Sequence, residues 1–167
     1  MSPTITNRPL TPADLPLVSH LHAKVFGPGR FARTAYRIRE GTPAISSYCR
    51  AAVLGKRIIA AVRFTEIGVG ATAGALLLGP LAVDPEFAGQ GYGRALIAEA
   101  LDDAKKAGVR LVVLVGDEPY YGRFGFRPVP PGQITLPGPV DPRRLLAAEL
   151  SDGALASYRG GVAAKTW

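Results

Sequence analysis

Residues 75–116, "ALLLGPLAVDPEFAGQGYGRALIAEALDDAKKAGVRLVVLVG", constrain the fold more than any other stretch of the chain. The apolar run "GALLLGPLAV" has the length and composition of a strand. An acidic turn follows, and then a helix-period run from about Gly93 to Ala107. Leu96, Ala100, Leu101 and Ala104 form its apolar stripe. Lys105 and Lys106 fall in the last turn, where cations suit the helix dipole, and Gly108 ends it. "RLVVLVGD" is continuously apolar, as a strand buried on both faces of a parallel pair should be. Strand, helix and strand in this order make a right-handed crossover.

The other elements arrange themselves around that unit. "TITNRPL" reads as a first strand. "TPADLPLVSHLHAKVF" reads as a helix with Thr11 at the N-cap, Pro12 at its first position and Asp14 in its first turn. Gly27-Pro28-Gly29 breaks it, and "RFARTAYRIRE" is expected as a second helix, stopped by Gly41 and Pro43. "SSYCRAAVL" and "RIIAAVRFT" flank Gly55-Lys56 as a hairpin. The segment "RPVPPGQITLPGPVDP" is expected as a surface loop, with "RRLLAAEL" and "SYRGGVAAK" as strands returning to the same sheet. The expectation is a single α/β domain over residues 1–167, with strands before and after one central crossover.

Hydrophobic residues make up 47% of the 167 residues and charged residues 20%, which is globular rather than disordered composition. No apolar run approaches the roughly 18 residues of a membrane helix, and the N-terminus lacks the layout of a secretory signal. Cys49 is the one cysteine, so no intrachain disulfide forms and a reducing interior is compatible. A cytoplasmic location without membrane attachment is expected, and no metal site. The net charge of +7 favours an anionic partner. A basic patch interleaved with aromatics is missing, so nucleic acid is not the expected partner.

Gly89, Gly91 and Gly93 alternate just where the central helix begins. A tight turn explains one or two of them but not the alternation. A dinucleotide G-x-G-x-x-G would need glycine at position 94 or 96, where Arg94 and Leu96 stand, and no Lys-Ser or Lys-Thr completes a phosphate loop. A pyrophosphate cradle in a different register fits better. The first N–H groups of a helix lack partners, and the macrodipole adds roughly half a positive charge there. Glycine brings an anion close to those donors, so the amides from Gly89 to Ala95 would ring a diphosphate, with Arg94 adding a formal charge.

With these residues in view, the stretch Val83–Leu96 and the downstream "YYGRFGF" resemble the Gcn5-related N-acetyltransferases, and within them a YhbS-like bacterial subgroup. The family's acetyl-CoA motif, [RQ]-x-x-G-x-[GA], aligns with Ala88-Gly89-Gln90-Gly91-Tyr92-Gly93. Ala88 stands where Arg or Gln is usual. The close resemblance covers residues 76 to 128, and the order of elements extends it over the whole length. It implies a mixed, mostly antiparallel central sheet with a parallel strand pair around the cofactor helix. It implies acetyl-CoA as cosubstrate and direct acetyl transfer to a primary amine. A non-catalytic acyl-CoA-binding module on the same fold is the alternative.

The resemblance also assigns roles. Gly79-Pro80 should bulge its strand, since proline donates no hydrogen bond. In the family such a bulge turns a backbone N–H toward the thioester carbonyl, and Leu81 is the nearest donor, with Ala82 and Val83 along the pantetheine arm. Tyr121, four residues before Gly125-Phe126, matches the family tyrosine that assists the departing thiolate. A phenol near pKa 10 and a thiol near 8.5 make full proton transfer uphill by about 2 kcal/mol, so hydrogen bonding dominates. Tyr120 reads as packing. Asp117 stands where relatives carry Asn to bond the pantetheine. Arg123, Arg127 and Lys105 are candidates for the 3′-phosphate. A lysine-like amine costs about 4–5 kcal/mol to deprotonate at pH 7, so a base is expected. Glu66 is the first choice, with His20 and His22 as others. Arg30, Arg33 and Arg37 share a face of the second helix, which is solvated by default and would otherwise meet an anionic acceptor. The acceptor and the oligomeric state, a homodimer included, are left open.

Overall fold

The computed structural model describes residues 4–27, 38, 45–138 and 140–165. In chain order the elements are β1 (Ile5–Pro9), α1 (Leu15–Phe26), β2 (Arg50–Leu54), β3 (Arg57–Val69) and β4 (Thr72–Val83). They continue with α2 (Tyr92–Lys106), β5 (Leu111–Val115), the short α3 (Glu118–Tyr121), β6 (Arg127–Pro128), β7 (Ile134–Thr135), β8 (Leu145–Glu149) and β9 (Gly160–Ala164). The sheet runs β1-β2-β3-β4-β5-β8-β6, and β9 pairs with both β3 and β7. Neighbours are antiparallel except β4–β5 and β7–β9. The expected mixed α/β sheet with a parallel pair linked through the central helix is what the chain forms.

The sheet has two covered faces. On one, Leu96, Ile97 and Ala100 of α2 pack on Val62, Phe64, Leu76 and Val112. On the other, Val18 and Leu21 of α1 pack on Ile58, Ala61 and Ala82. Further along that second face, Val113 and Leu145 meet Val129, Ile134 and Tyr158. Alternate residues of β5 enter opposite clusters, which accounts for its unbroken apolar sequence.

Some boundaries differ from the sequence reading. Thr11 caps a short 3-10 turn, Pro12–Asp14, and α1 starts only at Leu15. Pro16 explains this, because it has no N–H to extend an α-helical ladder back to Pro12. Asp14 is held in place by Arg8, whose guanidinium donates at 2.7 and 2.8 Å. That charged hydrogen bond, offset in part by burial, keeps the Asp14 carboxyl well below the usual range. β3 runs four residues beyond the expected "RIIAAVRFT", because β4 pairs with it as far as Val69 and β9 pairs with Ile67–Val69 on its other side. The proline-rich segment is more than surface loop. Val129 and Ile134 are buried, and Gln133 donates to the Leu155 and Tyr158 carbonyls. Cys49 is buried just before β2 rather than within a strand. The expected second helix lies outside the described residues apart from Ile38, which is helical and buried, so Arg30, Arg33 and Arg37 are not placed. Among the described residues no helix is long and apolar enough to cross a membrane.

Leu96 is fully buried between α2 and the sheet. Leu96→Ala should lower stability by about 2–5 kcal/mol through the lost contacts and the cavity left behind, read from urea unfolding midpoints.

Candidate active site

β4 and β5 pair through only Ala75–Leu111, Leu76–Val112 and Leu77–Val113. Beyond Val113, β5 continues against β8, with Leu114 opposite Leu146 and Val115 opposite Leu145. Beyond Leu77, β4 continues against β3 alone and bulges at once. Val62 faces Leu81 and Phe64 faces Leu78, so Gly79 and Pro80 together oppose Arg63. The bulge expected at Gly79-Pro80 is therefore present. The two strands part at their carboxyl ends, which is where open α/β sheets take ligands.

The start of α2 closes one side of that opening. Gly91 is its N-cap at φ 86°, and the N–H of Ala95 makes a bond of the helix ladder to the Gly91 carbonyl at 3.1 Å. The N–H groups of Tyr92, Gly93 and Arg94 precede that bond and find no carbonyl within the helix. Gly89 is likewise at positive φ, and a Cβ at Gly89 or Gly91 would meet nothing within 4 Å. Both glycines therefore serve backbone conformation and leave open space beyond them. Gly93 differs. A Cβ there would press on Val83, Leu81 and the Tyr120 hydroxyl at 3.3–3.4 Å, so this glycine lets α2 approach β4. A pocket of about 210 Å³ opens over the glycines, walled by Val83, Phe87, Tyr92, Arg94 and Tyr120. Donors, dipole and the Arg94 charge make it fit a pyrophosphate.

Asp84, immediately after β4, fixes the loop that carries these glycines. It is 3% exposed. Its carboxylate accepts from Arg57 at 2.8 Å, from Lys24 at 3.0 Å and from the Glu86 N–H at 3.1 Å. The Arg57 hydrogen bond, with Lys24 assisting against the cost of burial, holds its pKa at about 2. The Arg57 guanidinium also lies 5.3 Å from the Phe87 ring centroid, and Phe87 walls the pocket. A buried carboxylate just ahead of Pro85 was the available signal, since Asp before Pro is a helix-cap pair.

Tyr121 packs edge-on to Tyr120 at 4.8 Å and to Phe126 at 6.0 Å. Its ring covers Gly116 so closely that a Cβ there would lie 2.5 Å from a ring carbon. Sequence reasoning missed Gly116, and it missed Tyr120 as a wall of the pocket as well as a packing residue. Arg123 sits over the Tyr120 ring at 5.0 Å, near the pocket. Arg127 instead donates to the Gly122 and Phe126 carbonyls, and Lys105 lies about 16 Å down the helix from Arg94. Asp117 is exposed at the start of α3 and pairs with Arg144 at 3.3 Å, away from the pocket walls. Glu66 is half-buried opposite Leu76, at the joined part of the ladder. It stands about 13 Å along β3 from Val62, the partner of Leu81. His22 is buried against Phe26. His20 lines a separate cavity with Lys24 and Asp84. Among the described residues no cluster of potential metal ligands occurs.

Residues 17–126 match the model of the acetyltransferase (GNAT) family, and the chain belongs to that family. It is YhbS-like within it. The uncharacterized N-acetyltransferase YhbS of Escherichia coli K12 is 35% identical over 83 residues, half of this chain and half of that protein. The chain thus matches only half the length of this curated relative. A crystal structure of E. coli YhbS in complex with CoA superposes with TM-score 0.83 and 26% identity, covering 99% of this chain and 92% of that one. A GNAT acetyltransferase of Brucella melitensis in complex with acetyl-CoA gives 0.65 and 25%, covering 90% and 97%.

Two outcomes follow from this geometry. Gly116→Ala displaces the Tyr121 ring and should lower stability by about 1–3 kcal/mol, read from urea unfolding midpoints. The depressed pKa of Asp84 means its stabilisation is complete above the ordinary carboxylate pKa and is lost as pH falls through about 2. Acid unfolding followed by circular dichroism should therefore show a steeper loss below about pH 4 for wild type than for Asp84→Asn.

Proposed function

We propose that this chain is a one-domain acetyl-CoA-dependent N-acetyltransferase that moves the acetyl group directly to a primary amine. The observation that carries the reading is the anion cradle at the start of α2, opening onto the gap where β4 and β5 part. Membership of the family and the CoA- and acetyl-CoA-bound relatives support it.

In this reading the amides from Gly89 through Arg94 donate to the pyrophosphate and Arg94 adds charge, while Ala95, expected among the donors, is excluded because its N–H bonds to the Gly91 carbonyl. Gln90 and Tyr92 take part through their backbone. The main chain of Leu81, Ala82 and Val83 lines the path of the pantetheine arm. The Leu81 N–H, next to the bulge, donates to the thioester oxygen and stabilises charge that develops there. The amine nitrogen forms the C–N bond, the C–S bond breaks, and the Tyr121 hydroxyl donates a hydrogen bond to the leaving sulfur. Glu66, distant from the bulge, takes the amine proton through intervening water. Asp117 reaches the arm only by exchanging its Arg144 partner. Holding both substrates in register across the gap supplies much of the acceleration.

The test is an acetyl-transfer assay read by mass spectrometry of the amine product, run for wild type and Tyr121→Phe. Tyr121→Phe should lower kcat roughly 100-fold or more while acetyl-CoA affinity stays within about twofold. An unchanged kcat contradicts the role of Tyr121. Tight acetyl-CoA binding with no transfer to any amine would favour the non-catalytic module instead.

A further inference from the structure

We infer that the amine acceptor carries an apolar group, and that this group seats in a pocket of about 260 Å³ under the proline-rich loop. The inference rests on the acetyltransferase reading and names the substrate class for the same site.

The position comes from strand register. Leu145 lines this pocket and pairs with Val115, two residues past Val113, where the β4–β5 ladder ends. Leu145 belongs to the cluster with Val113, Val129 and Ile134, on the sheet face opposite α2. The pyrophosphate pocket is on the α2 side, where Val83, Tyr92 and Tyr120 pack. One pocket therefore lies on the α2 face of the sheet, and the other on the opposite face, one strand beyond β5. Substrates entering from the two sides meet where β4 and β5 have parted.

The chemistry comes from the walls. Val129, Ile134, Leu136, Val140 and Leu145 line the cavity, and among its described lining residues only Thr135 has a polar side chain. Among the described lining residues none carries a charge that would bind a carboxylate or a second ammonium. An apolar wall also disfavours the charged form of a nearby amine, and only the neutral amine attacks. Another cavity on that face, about 350 Å³, differs. Lys24, Lys56 and Arg57 border it, and its one carboxylate, Asp84, already pairs with Lys24 and Arg57. That cavity repels an ammonium group, so of these two cavities the apolar pocket is the one suited to the acceptor's side group.

The experiment compares kcat/KM at saturating acetyl-CoA for propylamine through hexylamine with putrescine and 6-aminohexanoate, beside acetyl-CoA calorimetry on every protein. The expected result is a rise of about fourfold per added methylene, with the two amines that carry a second charge weakest. Val140→Glu places a charge on the half-buried wall. It should cut the hexylamine value at least tenfold with acetyl-CoA affinity unchanged, which also reports that the variant is folded. The milder Leu136→Ala should lower it several-fold. Putrescine or 6-aminohexanoate equalling hexylamine overturns the inference, as do two variants that both leave hexylamine unaffected. Bound acetyl-CoA with no transfer to any of these amines also overturns it. Wild type that fails to bind acetyl-CoA overturns the acetyltransferase reading beneath it.

Discussion

Three residue pairs join β4 to β5, and the separation that follows them is the constraint on which the site depends. A longer parallel ladder would close the gap and leave nowhere for a linear cosubstrate to lie. The cause is local. Gly79 and Pro80 follow two residues after the last rung, and both oppose the single residue Arg63. Proline has no N–H to give, and an extra residue bends and twists its strand. β5 is meanwhile held on its other side by five pairs with β8. One strand turns away and the other is kept straight.

Keeping the gap open requires rigid walls, and these are apolar. α2 is fastened by Leu96, Ile97 and Ala100, all fully buried, so the donors at its first turn are fixed before any anion arrives. Gly93 allows that helix to touch β4, while Gly89 and Gly91 lie in positive-φ conformations open to solvent. Asp84 anchors the loop between them through cations from α1 and β3. Burying that carboxylate is costly alone, and two cations with a backbone N–H offset the cost. Removing either cation would thus loosen the glycine loop from a distance.

Much of this was legible in the residues. The central helix was expected from Gly93 to Ala107 and runs Tyr92–Lys106, because its stripe, basic last turn and glycine stop all agree. The hairpin, the parallel pair and the strand bulge were legible for the same reason: each has a local chemical cause. What escaped was set by tertiary contact. Pro16 delays α1 through a missing donor, which the Thr11–Pro12 signal masked. Gly116 is needed because the ring of Tyr121 folds back onto it and the Leu114 side chain crowds it as well. The position of Glu66, opposite Leu76 at the closed part of the ladder, is set by strand register rather than by local sequence. The paired prolines after Val129 read as loop, whereas Ile134 and Val129 turn inward as core.

The most direct measurement is calorimetric titration of acetyl-CoA into the wild-type chain and Gly91→Glu, with ATP and NADH as controls. The account predicts micromolar acetyl-CoA binding by wild type, weak binding of the controls, and loss of acetyl-CoA binding in the variant. There a side chain is forced to positive φ and a carboxylate occupies the anion's place. Equal binding by both proteins, or no binding by wild type, would contradict it and leave the glycines as turn formers only.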